Sequence, residues 1–272
     1  MVRRSVMLEP FSLPRRTRPT RIARHSAEIR LLARHRKVRT ALAFVAAFGF
    51  AVIGLTAAQS VDELISKNLA AKGWSKLQGV QSVKQTAKVT MQGMEAEMTI
   101  YLKRPNRVRQ EVAIGGRKVI NAFDGVTPWI INPMVGSTRP IALSGPQADM
   151  LREQSDFDGP LVDYKAKGFT LELVGLEALG DRKVHHLRLV SSSRQVVHLF
   201  LDTTTLLEVK RSTDVDMLKL EQEFSDFRAV EGITMPFVIR TLTNGVPQSE
   251  FRVQSVEFNV QMDDAIFRMP RG

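Results

Sequence analysis

Histidine is the residue type in this chain best suited to metal binding or proton transfer near neutral pH. The chain has 5 histidines, of which His185 and His186 are adjacent in a predicted strand and His198 lies in another. Adjacent side chains of a strand point to opposite faces of a sheet, so His185 and His186 cannot chelate one metal ion together. We therefore interpret these histidines as ordinary sheet positions and predict no metal site.

Paired carboxylates could do general acid–base chemistry, and two such pairs occur, Asp156 with Asp158 and Asp214 with Asp216. Neither pair has a His or Lys partner at a diagnostic spacing, and loop or cap positions explain them better. The sequence has no nucleophile elbow, phosphate-binding loop or dinucleotide-binding motif. It has 0 cysteines, which excludes thiol catalysis and cysteine-ligated metals. The sequence predicts a protein that is not an enzyme and needs no cofactor.

Basic residues are concentrated at the N-terminus. The first 39 residues hold twelve of the 39 Lys and Arg residues but only two of the 28 Asp and Glu residues. Most of the formal net charge of +11 therefore lies in this segment, and the rest of the chain is nearly neutral. The high pI reflects a leader rather than a nucleic-acid-binding surface, so no nucleic-acid partner is predicted.

An uncharged apolar run follows the basic segment. Residues 41–55 are strongly apolar, a length typical of a signal peptide and short for a membrane span. Thr56 and Ala58 are small residues suitably placed for a cut before Gln59. The pattern predicts a cleaved export signal, and an uncleaved anchor with a cytoplasmic N-terminus is the alternative. In both cases the chain from Gln59 onward is exported.

Two domains are predicted, a leader over residues 1–58 and one exported domain over residues 59–272. A domain of this size can bury a core without disulfides. It begins with a helix, because Ser60-x-x-Glu63 is a capping box and apolar residues then recur at helical spacing. Gly73 is expected to end that helix.

The spacing of apolar residues changes to a period of two after the first helix, which predicts strands. Hairpin turns are predicted at Asp124-Gly125 and at Asn244-Gly245, and the second joins strands over residues 233–243 and 248–258. Strands linked in this way predict an antiparallel sheet with one apolar face.

A second helix is predicted within the sheet region. Ser144 offers an N-cap and Pro146 stands in the first turn, so the helix should run to about Ser155. An open, strongly twisted sheet with helices against its apolar face would accommodate all these elements. The predicted fold class is mainly β, of the α+β type.

Two motifs are more specific. Lys103-Arg104-Pro105-Asn106 ends a predicted strand, a second motif spans residues 124–133, and the chain closes with Asp264-x-x-Phe267-x-x-Pro270. Together with the segment 156–164, they resemble in order and spacing the carriers of the LolA/LolB superfamily, which sort outer membrane lipoproteins. The family motifs read K-R-P-N, D-G-x-T-x-W-x-x-N-P and D-x-x-F-x-x-P. The residues matched in the second motif include Asp124, Gly125, Trp129, Asn132 and Pro133.

The resemblance implies an incomplete antiparallel β-barrel whose concave apolar face is covered by helices. Such carriers are periplasmic, hold the acyl chains of a lipoprotein in this cavity, and act between an inner-membrane donor and an outer-membrane acceptor. Arg107 follows the first motif where LolA-type proteins often carry an apolar side chain. The cargo therefore stays open between a lipoprotein and another amphiphile such as a glycolipid or an isoprenoid.

Arg104 is the residue that the resemblance implies as the latch of the helical lid. Arg104 shares strand parity with Met98, Ile100 and Leu102, so it should face the concavity from a strand end. A guanidinium group has five N–H donors and suits unpaired carbonyls at a helix C-terminus. The alternative is that Arg104 caps a loop or pairs with a surface carboxylate.

Several apolar residues are predicted to line the cavity because they share a strand face or lie on the second helix. Flexible methionines suit disordered chains, although ordinary core packing is an equally good explanation for any single one. The candidates are Met91, Met98, Ile100, Leu102, Val112, Ile114, Trp129, Ile131, Met150, Leu151, Leu218, Leu220 and Phe224.

Two other functions are compatible with the sequence. Proteins that sense envelope stress share this cavity fold and regulate a protein partner in the membrane. A structural envelope protein, in which the apolar face is an ordinary core, is the third hypothesis. Bound acyl species, a bound protein partner or an empty monomer would distinguish the three.

Overall fold

A computed structural model describes residues 60–191, 194–215 and 217–271. The predicted leader over residues 1–58, with its apolar run and cleavage site, lies outside these residues, as does Asp216. Within the described ranges, no helix combines the length and the apolar character that crossing a bilayer requires.

Strands dominate the described part of the chain. The helices are α1 (Val61–Ala71), α2 (Trp74–Leu77) and α3 (Gly145–Gln154). The strands are β1 (Ser82–Met91), β2 (Met94–Lys103), β3 (Arg107–Ile114), β4 (Arg117–Phe123), β5 (Pro128–Asn132), β6 (Ser137–Ala142), β7 (Thr170–Leu179), β8 (Arg182–Val190), β9 (Val196–Asp202), β10 (Glu208–Val215), β11 (Leu218–Val230), β12 (Ile233–Thr243) and β13 (Val246–Phe258). Short 3-10 helices cover Pro133–Val135 and Asp264–Ile266.

All strands belong to one 13-stranded sheet, in the order β6-β5-β4-β3-β2-β1-β13-β12-β11-β10-β9-β8-β7. Each neighbouring pair is consecutive in the chain except β1 with β13, which are antiparallel and join the two halves of the sheet. β6 and β7 are the two edge strands of the sheet and do not pair with each other. The predicted mainly β fold, an incomplete antiparallel barrel with helices, is confirmed.

Paired residues define two faces of this sheet, because opposite residues of neighbouring strands point the same way. Leu102, Val108 and Phe123 are paired across β2, β3 and β4, and we call their side the inner face. The inner face continues through β1, β13, β12 and β11 to Arg211 on β10 and Leu199 on β9. The opposite side is called the outer face.

α1 covers the inner face of the C-terminal half of the sheet. Ser60 caps it as predicted, with its Oγ accepting a hydrogen bond of 3.1 Å from the Glu63 N–H. Leu64 and Ile65 are buried in a core formed with strands β8 and β9. The other buried members of this core are Leu161, Leu187, Leu189, Leu199 and Leu201. Burial on this scale fixes α1 firmly to the sheet.

α3 covers the inner face of the N-terminal half and begins near Pro146, as the sequence predicts. Its buried Leu151 packs against Val108 and Phe123, with Ile100 and Leu102 at the margin of this second core. The segment that contains α3 connects the two edge strands β6 and β7, so it must cross from one edge of the sheet to the other.

Candidate functional site

The inner face between the two cores is apolar and only partly covered. On the strands between α1 and α3, Val89 and Val253 are buried, but many of the larger aliphatic and aromatic side chains keep intermediate solvent exposure, whereas a filled core would bury them. We call this partly exposed apolar surface the inner hollow. Its lining includes Met98, Ile100, Val112, Ile114, Val119, Phe224, Ile239 and Phe251.

Arg104 lies at the end of β2, beside the rim of the inner hollow. Its Nε donates to the Val80 carbonyl at 2.7 Å, and Nη2 approaches the Leu77 carbonyl at 3.4 Å. Leu77 is the last residue of α2, where carbonyl groups have no partner within the helix. The guanidinium therefore reaches carbonyl groups at and just after the end of a helix, as expected from its five donors.

The same guanidinium also binds the segment that follows α3. Nη1 donates to Asp158 Oδ2 at 2.7 Å and Nη2 donates to Asp158 Oδ1, so the two side chains form a bidentate ion pair. The Phe157 ring lies below the guanidinium, with its centre 4.4 Å from Cζ. One side chain thus connects the end of β2, the end of α2 and the segment after α3. The geometry of a latch is present, and its role in gating stays a prediction.

Lys103 of the first motif and Arg107, which follows the motif, hold the C-terminal segment. Lys103 Nζ donates to the Met262 carbonyl at 2.9 Å and to Asp264 Oδ1 at 2.6 Å, and Arg107 Nη1 lies 3.2 Å from Asp264 Oδ2. The hydrogen bond from Lys103 and the charges of both cations lower the pKa of Asp264. Pro105 is exposed and ends the strand region.

The second motif forms turns and caps. Asp124 Oδ1 accepts from the N–H groups of Val126 and Thr127 at 2.9 and 2.7 Å. Gly125 has a φ of 98°, and a Cβ there would lie 3.0 Å from Asn106 Oδ1, so the two motifs touch at this point. Asn132 Oδ1 caps the 3-10 helix that Pro133 begins.

Trp129 and Ile131 require a correction. Their predicted place in the cavity lining is wrong, because Trp129 pairs with Ala122 and Ile131 pairs with Ile120, which puts both on the outer face. The indole of Trp129 is fully buried and donates from Nε1 to the Phe267 carbonyl at 2.8 Å. The long-range approach of the C-terminal segment decides this burial, which the strand pattern alone does not reveal.

Other predicted lining residues divide by position. Leu102 and Leu151 are part of the α3 core, and Leu220 shares the inner-face parity of Phe224. Met91 and Leu218 lie at strand ends near hairpin tips and are 36% and 48% exposed. Met150 is 56% exposed, since Ala148 and Leu151 form the buried side of α3. The prediction that Met150 lines the cavity is therefore wrong for this arrangement of α3.

A charged pair on the inner face escaped the sequence analysis. Arg211 donates from Nε and Nη2 to the two carboxylate oxygens of Glu208, at 2.8 and 3.1 Å. The register of β10 against β9 shifts between Glu208 and Lys210, so residues three apart share one face. Burial alone would raise the pKa of Glu208, but Arg211 and the nearby Lys72 outweigh it and lower that pKa.

Histidines of separate strands do come together, on the outer face. His186 Nε2 lies 2.7 Å from His198 Nδ1, and the His186 ring stacks on Phe200 at 4.6 Å. Burial, and then the charge of His186, lowers the pKa of His198. Among the described residues, no group of three His, Asp or Glu side chains is arranged to hold a metal ion. Of the aspartate pairs, Asp156 binds Lys167 Nζ at 2.6 Å.

Two further concavities are lined mainly by residues outside the inner hollow. The larger one, of about 310 Å³, lies between outer-face residues of β2 and β3 and the segment after β13, and includes Arg109 and Met262. The smaller, of about 190 Å³, includes Lys210 and Arg240. The linings of both concavities mix charged and apolar groups.

Comparison with known proteins identifies the fold. No protein-family model and no curated sequence matches the chain. A LolA superfamily protein from Nitrosomonas europaea is similar in structure, with a TM-score of 0.56 and 16% identity over 78% of this chain and 98% of that chain. A DUF1329 family protein from Desulfovibrio piger has a TM-score of 0.55 and 13% identity over 78% and 98%. A domain named for outer membrane lipoprotein sorting, from Vibrio parahaemolyticus, has a TM-score of 0.54 and 12% identity over 75% and 94%. The chain therefore has a LolA-like fold, as its motifs indicated.

Proposed function

We propose that this chain is a carrier of the cell envelope. It binds acyl chains in the inner hollow and delivers the lipoprotein or lipid that bears them to another membrane. The observation that carries the proposal is the partly exposed apolar lining beneath two separately held helices. Acyl chains would complete the burial that the chain's own side chains leave unfinished. The charged and hydrogen-bonded groups described above are explained by turns, caps and ion pairs, which supports a non-enzymatic role.

The fold and the predicted leader together support membrane partners for this carrier. The predicted export signal would place the domain in the periplasm, between an inner-membrane donor and an outer-membrane acceptor. A structural neighbour named for lipoprotein sorting supports a lipoprotein as the cargo. Another lipid fits the same apolar lining, since hydrophobic burial is not directional.

The contacts of Arg104 explain how the protein can both bind its cargo and release it. A buried methylene group contributes about 0.8 kcal/mol, so one long acyl chain gains on the order of 10 kcal/mol. Release requires that the empty protein recover part of this free energy. Closure of the α3 segment onto Arg104 through Asp158 would supply some of it, because the paired groups are only 20% and 23% exposed.

The test is transfer between two membrane populations with the Arg104→Leu variant. We expect this variant to load cargo normally and to transfer it about three- to tenfold more slowly, because closure loses charge-assisted hydrogen bonds. Arg240→Leu is the matched control: Arg240 pairs with Glu250 at 2.8 Å on the outer face, and its loss should leave transfer unchanged. Equal transfer rates for Arg104→Leu and the wild type would contradict the latch.

Native mass spectrometry of protein purified from its own envelope tests the carrier proposal directly. Co-purifying acyl species support it. A stoichiometric protein partner without lipid would favour a regulatory module, and an empty monomer would favour a structural role.

A further inference from the structure

We propose that the inner hollow recognises an amphiphile whose headgroup carries one negative charge, and that Arg211 and Lys72 receive that charge. This inference rests on the proposed function and names the class of its ligand. Carboxylate and phosphodiester headgroups share the required chemistry, since both offer anionic oxygens to a guanidinium.

The position of the cluster is the first argument. Arg211 pairs with Leu199, which belongs to the α1 core, and its guanidinium lies 5.7 Å from the centre of the Phe224 ring in the inner hollow. Lys72 is the C-cap of α1 and lies close enough to Glu208 to influence its pKa. A cationic group therefore lies directly beside apolar surface, where a headgroup and its chain would meet.

The free donors of Arg211 are the second argument. Nε and Nη2 are used by Glu208, and Nη1 donates to no residue in the described part of the chain. Glu208 is only 6% exposed, so it holds the guanidinium in place on a sheet strand. A donor fixed in this way loses little freedom when it binds an anion.

The charge balance is the third argument. Lys72 and Arg211 carry two positive charges, and Glu208 supplies one negative charge. Against the opposing effect of burial, Glu208 does most to raise the pKa of Arg211, and Glu153 on α3 adds a second negative charge that also raises it. If α3 moves aside to admit a chain, Glu153 leaves with it and the cluster keeps one net positive charge. A monoanionic headgroup restores neutrality, which a partly buried site strongly favours.

Glu153 is therefore expected to compete with the ligand. It is exposed and lies one turn from Asp156, which binds Lys167. Burial and the neighbouring Asp149 raise the pKa of Glu153, and Arg211 opposes them. Its side chain thus gains less from ionisation than a fully solvated carboxylate, so an anion that binds Arg211 meets a weak competitor.

The experiment measures the affinity of the full chain for three probes with the same tail: oleate, the phosphodiester oleyl methyl phosphate, and methyl oleate. Displacement of a neutral fluorescent probe reports each affinity. We expect the two anions to bind about tenfold more tightly than the uncharged ester, the effect of one charge-assisted hydrogen bond. A stronger preference for oleate identifies a carboxylate source, and a stronger preference for oleyl methyl phosphate identifies a phosphodiester source.

Two variants locate the effect. Glu153→Gln removes the competing carboxylate from an exposed position and should strengthen anion binding about threefold without changing the affinity for methyl oleate. The triple variant Lys72→Met, Glu208→Gln, Arg211→Met removes both cations together with the carboxylate that pairs with them, which avoids an unpaired buried charge. It should bind all three probes equally.

The outcomes separate this inference from the proposed function. Equal binding of anions and ester by the wild type, or a preference that survives in the triple variant, overturns the headgroup site and leaves the carrier intact. Failure of every probe to bind overturns both.

Discussion

α1 and α3 cover the same face of one sheet but are held there in different ways. α1 buries Leu64 and Ile65 among five leucines, and its end is tied to the sheet by the Lys72 carbonyl, which accepts from Thr234 N–H at 3.0 Å. α3 contributes one large buried side chain, Leu151, to a core with only two other buried residues. The comparison leads us to expect that α1 stays on the sheet and that α3 leaves it more readily.

Polar contacts sharpen this difference. Asn68 of α1 is fully buried and donates from Nδ2 to the Leu206 carbonyl at 2.6 Å. α3 relies instead on Gln154, whose Oε1 accepts from Gln110 at 2.9 Å in an exposed pair, and on Asp158 after its end. The exposed amide pair exchanges readily with water, so the helix itself can leave the sheet at lower free-energy cost than α1.

The largest expected effect comes from Leu64→Ala in α1. Loss of this fully buried side chain should lower the free energy of unfolding by about 3–5 kcal/mol, through lost burial and the cavity left behind. Urea unfolding followed by circular dichroism measures it. Leu151→Ala is the matched substitution in α3 and should cost about 2 kcal/mol while increasing hydrogen exchange mainly in residues 145–158. Equal costs and a uniform rise in exchange would contradict the comparison.

Low pH should lower the free energy of unfolding through Glu208, which lies on the half of the sheet that α1 covers. Since the folded protein holds this pKa below its ordinary value, the unfolded chain binds the proton more readily. The resulting stabilisation is fully present above the unfolded pKa and is lost as the pH falls through the folded pKa. Glu208→Gln should therefore cost about 3 kcal/mol at pH 7 and flatten the acid limb of the stability curve.

Stability measured against pH in wild type and variant checks this expectation. Glu97→Gln is the control: this carboxylate is exposed on β2, so its loss should leave the acid limb close to that of the wild type. Parallel curves for wild type and Glu208→Gln would show that the pair does not stabilise the fold.

Local chemistry in the sequence was sufficient for much of this architecture. Ser60 predicted the start of α1, Pro146 predicted the start of α3, and the Asn244-Gly245 turn predicted β12 with its observed bounds. Each of these signals acts within a few residues. The antiparallel sheet and its helical cover followed from them together with the motif resemblance.

Long-range pairing decided what the sequence missed. The burial of Trp129 depends on Phe267, which is 138 residues away in the chain. The Glu208–Arg211 pair depends on a register shift that overrides simple alternation, because residues three apart normally point to opposite faces of a strand. Neither feature has a local signal.

Met150 gives the smallest expected effect and the sharpest control for the inner hollow. Because its side chain is 56% exposed on α3, Met150→Ser should change the free energy of unfolding by less than about 0.5 kcal/mol and leave the affinity for methyl oleate unchanged. Ile100→Ser is the matched variant on the inner face, where a hydroxyl would replace a lining side chain, and it should weaken that affinity severalfold. Weaker binding by Met150→Ser would mean that α3 turns this face toward the cargo when it opens, so the same measurement also reports how the cover moves.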